Sequence, residues 1–230
     1  MTSPTDIQDS SLDLERELER YGETERRILM ASVKVFSEKG FDGSRTEEIA
    51  KLAGVNKAMI HYYFESKERL YVTLISIVFK RLSLMLREFF GVISPETIKE
   101  DISLFVDEYV EFIRANVNFF KILLWELARG GDQIGLVMRE VIGEQFVSVQ
   151  SLFDEAMRKG YIRPLDTRHL MLSIIASILF YFIAQPVIRH LWGEDPLSEE
   201  NIALRKREVK KLILRGIFPE ETDPEAGTEQ

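Results

Sequence analysis

The sequence predicts an all-α protein in two parts, a short N-terminal three-helix unit followed by a larger helical domain. Three observations carry the prediction. Apolar residues recur at three- and four-residue steps along most of the chain, the spacing that aligns one face of an α-helix. Val, Ile and Thr build no alternating run closed by a hairpin turn, as strands would require. Glycine and proline punctuate the periodic segments at Gly40, Gly54, Gly130-Gly131, Gly160, Pro164 and Gly193 to Pro196.

The first helix, about Thr24 to Lys39, places Ile28, Ala31 and Val35 on one stripe with Leu29 and Phe36 beside it, and Gly40 ends it. Ser44-Arg45-Thr46-Glu47 has the form of a capping box and opens a short second helix closed by Gly54. Asn56 caps a third, which ends near Tyr63 and Phe64, and Ser66 caps a long fourth from Lys67 toward Phe90. Ser94-Pro95 is another start signal, with Ser as cap and Pro at the first helical position. Further helices are expected over 95–115, 118–129, 133–159, 166–190 and 199–216. The resulting divisions are an unstructured acidic extension over 1–22, a helix-turn-helix unit over 23–70, a helical domain over 71–218 and an acidic, Pro- and Gly-containing disordered tail over 219–230.

The chain has 230 residues, 30% of them charged, and no cysteine. That excludes disulfides, thiolate nucleophiles and cysteine-ligated zinc, and suits the reducing cytoplasm. Residues 1–25 hold eight acidic and two basic side chains, unlike the basic start and apolar core of a signal peptide. The formal charge of −8 argues at first sight against a polyanionic partner. Its distribution argues otherwise: residues 26–70 carry nine Lys and Arg against six Asp and Glu, between two net-acidic segments. One small module is thus equipped to face phosphate while the rest of the chain is repelled from it.

The densest signal lies between Thr46 and Phe64. Ile49 and Ala53 face the core from one short helix, Ala50 is small where two helices cross, and Gly54 suits the left-handed turn between them. Val55 and Ile60 anchor the following helix, and Tyr63-Phe64 wedge it against its neighbour. That leaves Lys57, Ala58, Met59, His61 and Tyr62 outward, a set suited to phosphates, base edges and thymine methyls. The longer pattern is Gly40-Phe41-Asp42-Gly43, Thr46 through Gly54-Val55, and Tyr63-Phe64-Glu65-Ser66-Lys67-Glu68-Arg69-Leu70. It resembles the DNA-binding module of TetR/AcrR-family transcription regulators over about residues 24–71.

The resemblance implies an N-terminal helix-turn-helix DNA-binding domain and a C-terminal ligand-binding and dimerisation domain. It implies a repressor released from a palindromic operator by a small-molecule effector. Residue by residue, it implies Thr46 and Lys67 on phosphates, Tyr63 packed inward, Lys57, His61 and Tyr62 in the major groove, and Arg45 as an extra phosphate or base contact. Three positions, His61, Arg45 and Met59, depart from the family's habit. His61 stands where Tyr is usual, Arg45 where Ser or Thr is, and Ala58 and Met59 where a Gly or Ala and then a Thr are common. His61 still donates to phosphate, more strongly when protonated. Met59 offers a base only apolar contact, so no operator sequence transfers from a relative.

In the larger domain, Leu170 to Ala184 is apolar except for two serines. A membrane span needs about 20 apolar residues, and here Gln185, Pro186, Arg189 and His190 follow. A helix apolar on all sides must be covered from two directions, and a subunit interface covers it without a membrane. The last helix sets Ile202, Val209, Leu212 and Ile213 against Lys and Arg. A homodimer through about 166–216 is expected, and the family resemblance implies a four-helix bundle across a twofold axis, which would read an inverted repeat in double-stranded DNA.

Phe105, Tyr109, Phe112, Phe119, Phe120 and Trp125 concentrate aromatics in the middle helices, and Glu126 lies inside the apolar run Ile122 to Leu127. Tyr109, Trp125 and Glu126 are candidate effector contacts. Aromatics at helical spacing also describe an ordinary core, with Glu126 paired to Arg129 or another cation. No Gly-rich phosphate loop, acid/base pair or metal-ligand spacing among His61, His169 and His190 stands out, so neither enzyme chemistry, cofactor nor metal is expected. Two other readings share the composition: a dimeric DNA-binding protein without an inducer, and a membrane-associated helical protein built on 170–188.

Overall fold

The computed structural model describes residues 17–90 and 94–219. The unstructured extension expected over 1–22 lies outside the described residues up to residue 16, as does the tail beyond 219. Residues 17–22 are described, and Leu18 among them is buried. Ten helices and no strand occur among the described residues. They are α1 (Glu23–Lys39), α2 (Thr46–Ala53), α3 (Lys57–Phe64), α4 (Lys67–Phe90), α5 (Ile98–Ala115), α6 (Val117–Ala128), α7 (Asp132–Arg158), α8 (Thr167–Ile183), α9 (Gln185–Trp192) and α10 (Glu199–Ile217).

Two compact units divide the chain, and the division falls within α5 and α7. The first comprises residues up to Gly91 and Glu111–Phe146; the second comprises Val92–Val110 and the chain from Val147. In the first unit α1 packs against α2, α4 and α6, and α3 packs against α2 and α4. Ile28, Leu29, Phe36, Ile49, Ile60, Leu70 and Leu74 are buried there. Each such side chain contributes roughly 1.5–3 kcal/mol by leaving water. In the second unit α8 packs against α9 and α10 around Ile174, Ile178, Phe182, Ile202 and Val209.

Several expected boundaries moved, each for a local reason. Ser44 does not cap α2. Its hydroxyl donates to the Gly40 carbonyl at 2.5 Å, which ties down the preceding turn, and the N-cap position falls to Arg45 without a side-chain bond. At α1 one half of such a box forms, the Gly22 N–H donating to the Glu25 carboxylate at 3.0 Å, while Gly22 has no side chain to supply the other half. Asn56 caps α3 as expected, accepting from the Ala58 N–H at 3.0 Å. α5 begins three residues after Pro95, because residues 95–97 form a turn in which the Thr97 hydroxyl donates to Asp101.

The helix expected over 166–190 is two helices, α8 and α9, bent by 64°. Pro186 lacks the N–H that a continuous helix needs and sits in the first turn of α9, where that loss is harmless. Leu212, grouped by sequence with Ile202, Val209 and Ile213, points outward at 69% exposure while those three are buried. No single described helix is long and apolar enough to cross a membrane; the bent α8–α9 pair passes by length and composition.

Candidate nucleic-acid interface

The helix-turn-helix is built by α2, Gly54 to Asn56 and α3. Gly54 adopts φ 64° and ψ 38°, the left-handed conformation that turns the chain between the helices. Arg27, reaching from α1, donates Nη2 to the carbonyls of Ala53 (2.6 Å) and Gly54 (2.7 Å) and so closes the C-terminus of α2. A Cβ on Gly54 would lie 2.6 Å from that same nitrogen, so a larger residue there would have to displace the Arg27 guanidinium from the two carbonyls. The sequence gives no cue for Arg27, since its partners are backbone carbonyls 26 and 27 residues away.

Ile60 and Phe64 turn into the core and orient α3. Lys57, Ala58, His61 and Tyr62 are exposed, Tyr62 at 77%, while Met59 and Tyr63 are half-buried. Met59 therefore faces outward less than the sequence suggests. Lys57 is ion-paired with Glu47 of α2, and its ammonium holds the Glu47 carboxyl below the usual carboxylate range. Arg45 is exposed and Thr46 half-buried at the start of α2. The Tyr62 and Tyr63 rings meet edge to face at 5.0 Å between centroids.

The end of α3 is fixed by an unusual turn. Glu65 has φ 63° and ψ −49°, and the Ser66 N–H donates to the Phe64 carbonyl at 2.6 Å, which makes a strained γ-turn. His61 Nδ1 donates to the Glu65 carbonyl at 2.9 Å. A carbonyl only accepts, so this bond fixes the proton on Nδ1 and leaves Nε2 for another partner.

Lys67 is occupied by the fold. Its ammonium donates to the carbonyls of Phe41 (2.9 Å) and Ser44 (3.0 Å) and lies 4.2 Å from the centre of the Phe41 ring. The other side of this α1–α2 turn is held from α6. Arg129 lies 4.7 Å from the Phe41 ring centre, and pairs with Asp42 at 2.9 Å and Glu126 at 3.1 Å. Trp125 donates Nε1 to the Ser37 carbonyl at 3.3 Å and packs its ring so close to Gly40 that a Cβ there would lie 3.0 Å away. Tyr71 of α4 reaches the Ile122 carbonyl at 3.4 Å. Burial and then the Glu126 carboxylate raise its phenol well above the usual value.

Of the candidate effector contacts, Trp125 and Glu126 thus lie in the first unit, engaged with the α1–α2 turn and with Arg129. Tyr109 is buried in the second unit, stacked on Phe105 at 5.4 Å, and its phenol is likewise raised by burial. A cleft of about 550 Å³ in the first unit is lined by residues of α1 and the start of α6, including Met30, Lys34, Asn118 and Lys121. Neither Trp125 nor Glu126 lines it.

Comparison with known proteins places the chain in a family and a fold. The profile of bacterial regulatory proteins of the tetR family matches residues 28–74, and that of the tetracyclin repressor-like C-terminal domain matches residues 99–213. The HTH-type transcriptional regulator RutR of Escherichia coli K12 is 30% identical over 202 residues, covering 84% of this chain and 90% of RutR. The HTH-type transcriptional repressor NicS of Pseudomonas putida is 28% identical over 200 residues, covering 84% of this chain and 92% of NicS. Among solved structures, the fatty acid degradation regulator FadR of Bacillus halodurans superposes with a TM-score of 0.66 at 23% identity, covering 85% of this chain and 97% of that one. FadR of Bacillus subtilis in complex with stearoyl-CoA superposes with a TM-score of 0.63 at 21% identity, covering 83% and 97%. These relatives are regulators rather than enzymes, and the chain belongs to the TetR family of transcriptional regulators.

Proposed function

We propose that this regulator acts in the cytoplasm as a homodimeric repressor that holds an inverted-repeat operator and releases it on binding a small molecule. The observation that carries DNA reading is the division of α3, with Ile60 and Phe64 inside and Lys57, Ala58, His61 and Tyr62 outside. Tyr62 and His61 meet base edges, Met59 adds an apolar contact at the rim, and Lys57 exchanges Glu47 for a phosphate. Arg45 and Thr46 approach phosphate at the start of α2, whose first N–H groups have no side-chain cap. Lys67 and Tyr63 support the module from behind.

Dimerisation is supported by the second unit. α8 buries Ile174, Ile178 and Phe182, yet exposes Leu172, Ile175 and Phe180, and α10 exposes Leu204 and Leu212. Two apolar faces on one helix require two partners. Repression and effector response are supported by NicS being a repressor and by the stearoyl-CoA bound to a FadR of the same fold. Coupling runs through α4, whose Lys67 binds the α1–α2 turn and whose Tyr71 ring packs on Phe41 within it, and through the end of α6, where Trp125, Glu126 and the capping Arg129 hold its other side. This assigns Trp125 and Glu126 to transmission rather than to ligand contact, and Tyr109 to the interior.

Purified protein mixed with sheared genomic DNA of its own cell tests the reading. Enrichment of a few fragments carrying a shared inverted repeat supports it; recovery in proportion to input contradicts it.

A further inference from the structure

Arg81 is the anomaly of the first unit. The inward stripe of α4 steps through Leu74, Val78 and Met85, all buried, and Arg81 occupies the step between the last two. It is 9% exposed, and among the described residues its Nε and Nη2 have no hydrogen-bond partner. A guanidinium keeps its proton at any pH a protein experiences. Burying it unpaired is strongly unfavourable, whereas leucine or methionine would fill the same stripe without that cost. Arg205, half-buried in the second unit, also has an unpartnered Nε, but its Nη2 reaches a carbonyl of Ser177 and its guanidinium lies over the Tyr181 ring. Folding alone gives no reason for Arg81.

The two unpartnered nitrogens share one edge of the guanidinium. Nε–H and one Nη2–H point the same way, at the spacing of two oxygens of a carboxylate or phosphate, so this edge takes an oxyanion in two parallel bonds. A second buried polar atom of the unit, Oε1 of Gln145 on α7, one turn beyond buried Ile142, also lacks a partner.

We propose that Arg81 is the anion-binding residue of the effector site, and that the effector is a small molecule with an apolar body and a carboxylate or phosphate head. The inference rests on the effector-responsive reading given above. The head neutralises Arg81 on arrival, and the apolar body lies along the Leu74, Val78 and Met85 stripe. An effector that satisfies a buried ion stabilises the folded unit as it binds.

Thermal unfolding of the full-length protein with octanoate, phenylacetate or octyl phosphate, and with octanamide and octanol as uncharged counterparts, tests this. The wild type is expected to gain stability from an anion and little from its uncharged counterpart, with the carboxylate and phosphate arms telling the two heads apart. Without ligand, Arg81→Met unfolds at or above the wild-type temperature and binds the active anion roughly 10- to 100-fold more weakly, while Arg81→Lys keeps part of the response. The inference is overturned if no anion stabilises the wild type, if amide and carboxylate act alike, or if Arg81→Met responds fully. It is also overturned if Arg81→Met unfolds well below wild type, which would make Arg81 structural. Operator binding by the same preparations separates the two failures: DNA binding without an anion response removes this inference and leaves the DNA-reading regulator standing.

Discussion

Tyr62 and Lys67 lie five residues apart, and the proposed function gives them different parts in DNA binding. Tyr62 is 77% exposed on the outer side of α3, so its ring and hydroxyl are free to meet bases. Tyr62→Ala should relax sequence preference, narrowing the affinity gap between operator and unrelated duplex by roughly 10-fold or more; competition titrations measure that gap. Lys67 gives its ammonium to the Phe41 and Ser44 carbonyls. Lys67→Met should lower stability by about 2 kcal/mol, since two charge-assisted hydrogen bonds disappear and leave carbonyls unpaired. It should weaken all DNA sequences alike; denaturant unfolding beside DNA titration reads both effects. A Lys67→Met protein of wild-type stability would contradict the turn-lock role. Tyr62 was legible in the sequence because helical spacing separates an outward from an inward face. The work of Lys67 and Arg27 was not, because both bind backbone carbonyls more than 20 residues away, and any residue supplies a carbonyl.

At the scale of elements, spacing alone located α1 to α4 to within a residue or two, because Gly40, Gly54, Asn56 and Ser66 mark their ends by backbone chemistry. The Gly54 turn is the most demanding of these. Gly54→Ala must place a side chain at φ 64° and push against Arg27, so a loss of about 1–2 kcal/mol is expected. Weaker DNA binding should accompany the lower melting temperature, and an unaffected melting temperature would show that the turn relaxes freely. The α8–α9 break was harder to read. Pro186 was visible, but apolar residues continue past it, and composition does not say on which side of a bend they fall. The Ser44 cap failed for a related reason: a hydroxyl at the right spacing has more than one carbonyl or N–H in reach, and tertiary position decides among them.

The whole molecule combines a net-positive reading module with an acidic remainder and an outward apolar face on its second unit. That face predicts that Phe180→Asp yields a folded monomer: sedimentation should show half the mass at unchanged helical content, with operator affinity sharply reduced. A dimer that survives the change would place the interface elsewhere. A second whole-molecule expectation concerns alkali. Burial raises the phenols of Tyr71 and Tyr109, so the folded chain keeps them neutral where the unfolded chain ionises. Their effect on stability is therefore flat below pH about 10 and turns to a loss as the pH climbs above it. Tyr109→Phe should shrink that loss, measured by urea unfolding at pH 9 and 11. An unchanged loss would remove Tyr109 from the account.

The central claim is that the exposed side of α3 reads an inverted repeat in duplex DNA as part of a twofold dimer. Selection of bound duplexes from a random library, with wild type and Tyr62→Ala in parallel, tests it most directly. The account predicts that the wild type selects two inverted half-sites whose centres are about 34–36 Å or a multiple of that apart, and that Tyr62→Ala selects a degraded version. Recovery of no preferred sequence at low salt, or of the same sequence equally well by both proteins, would contradict it.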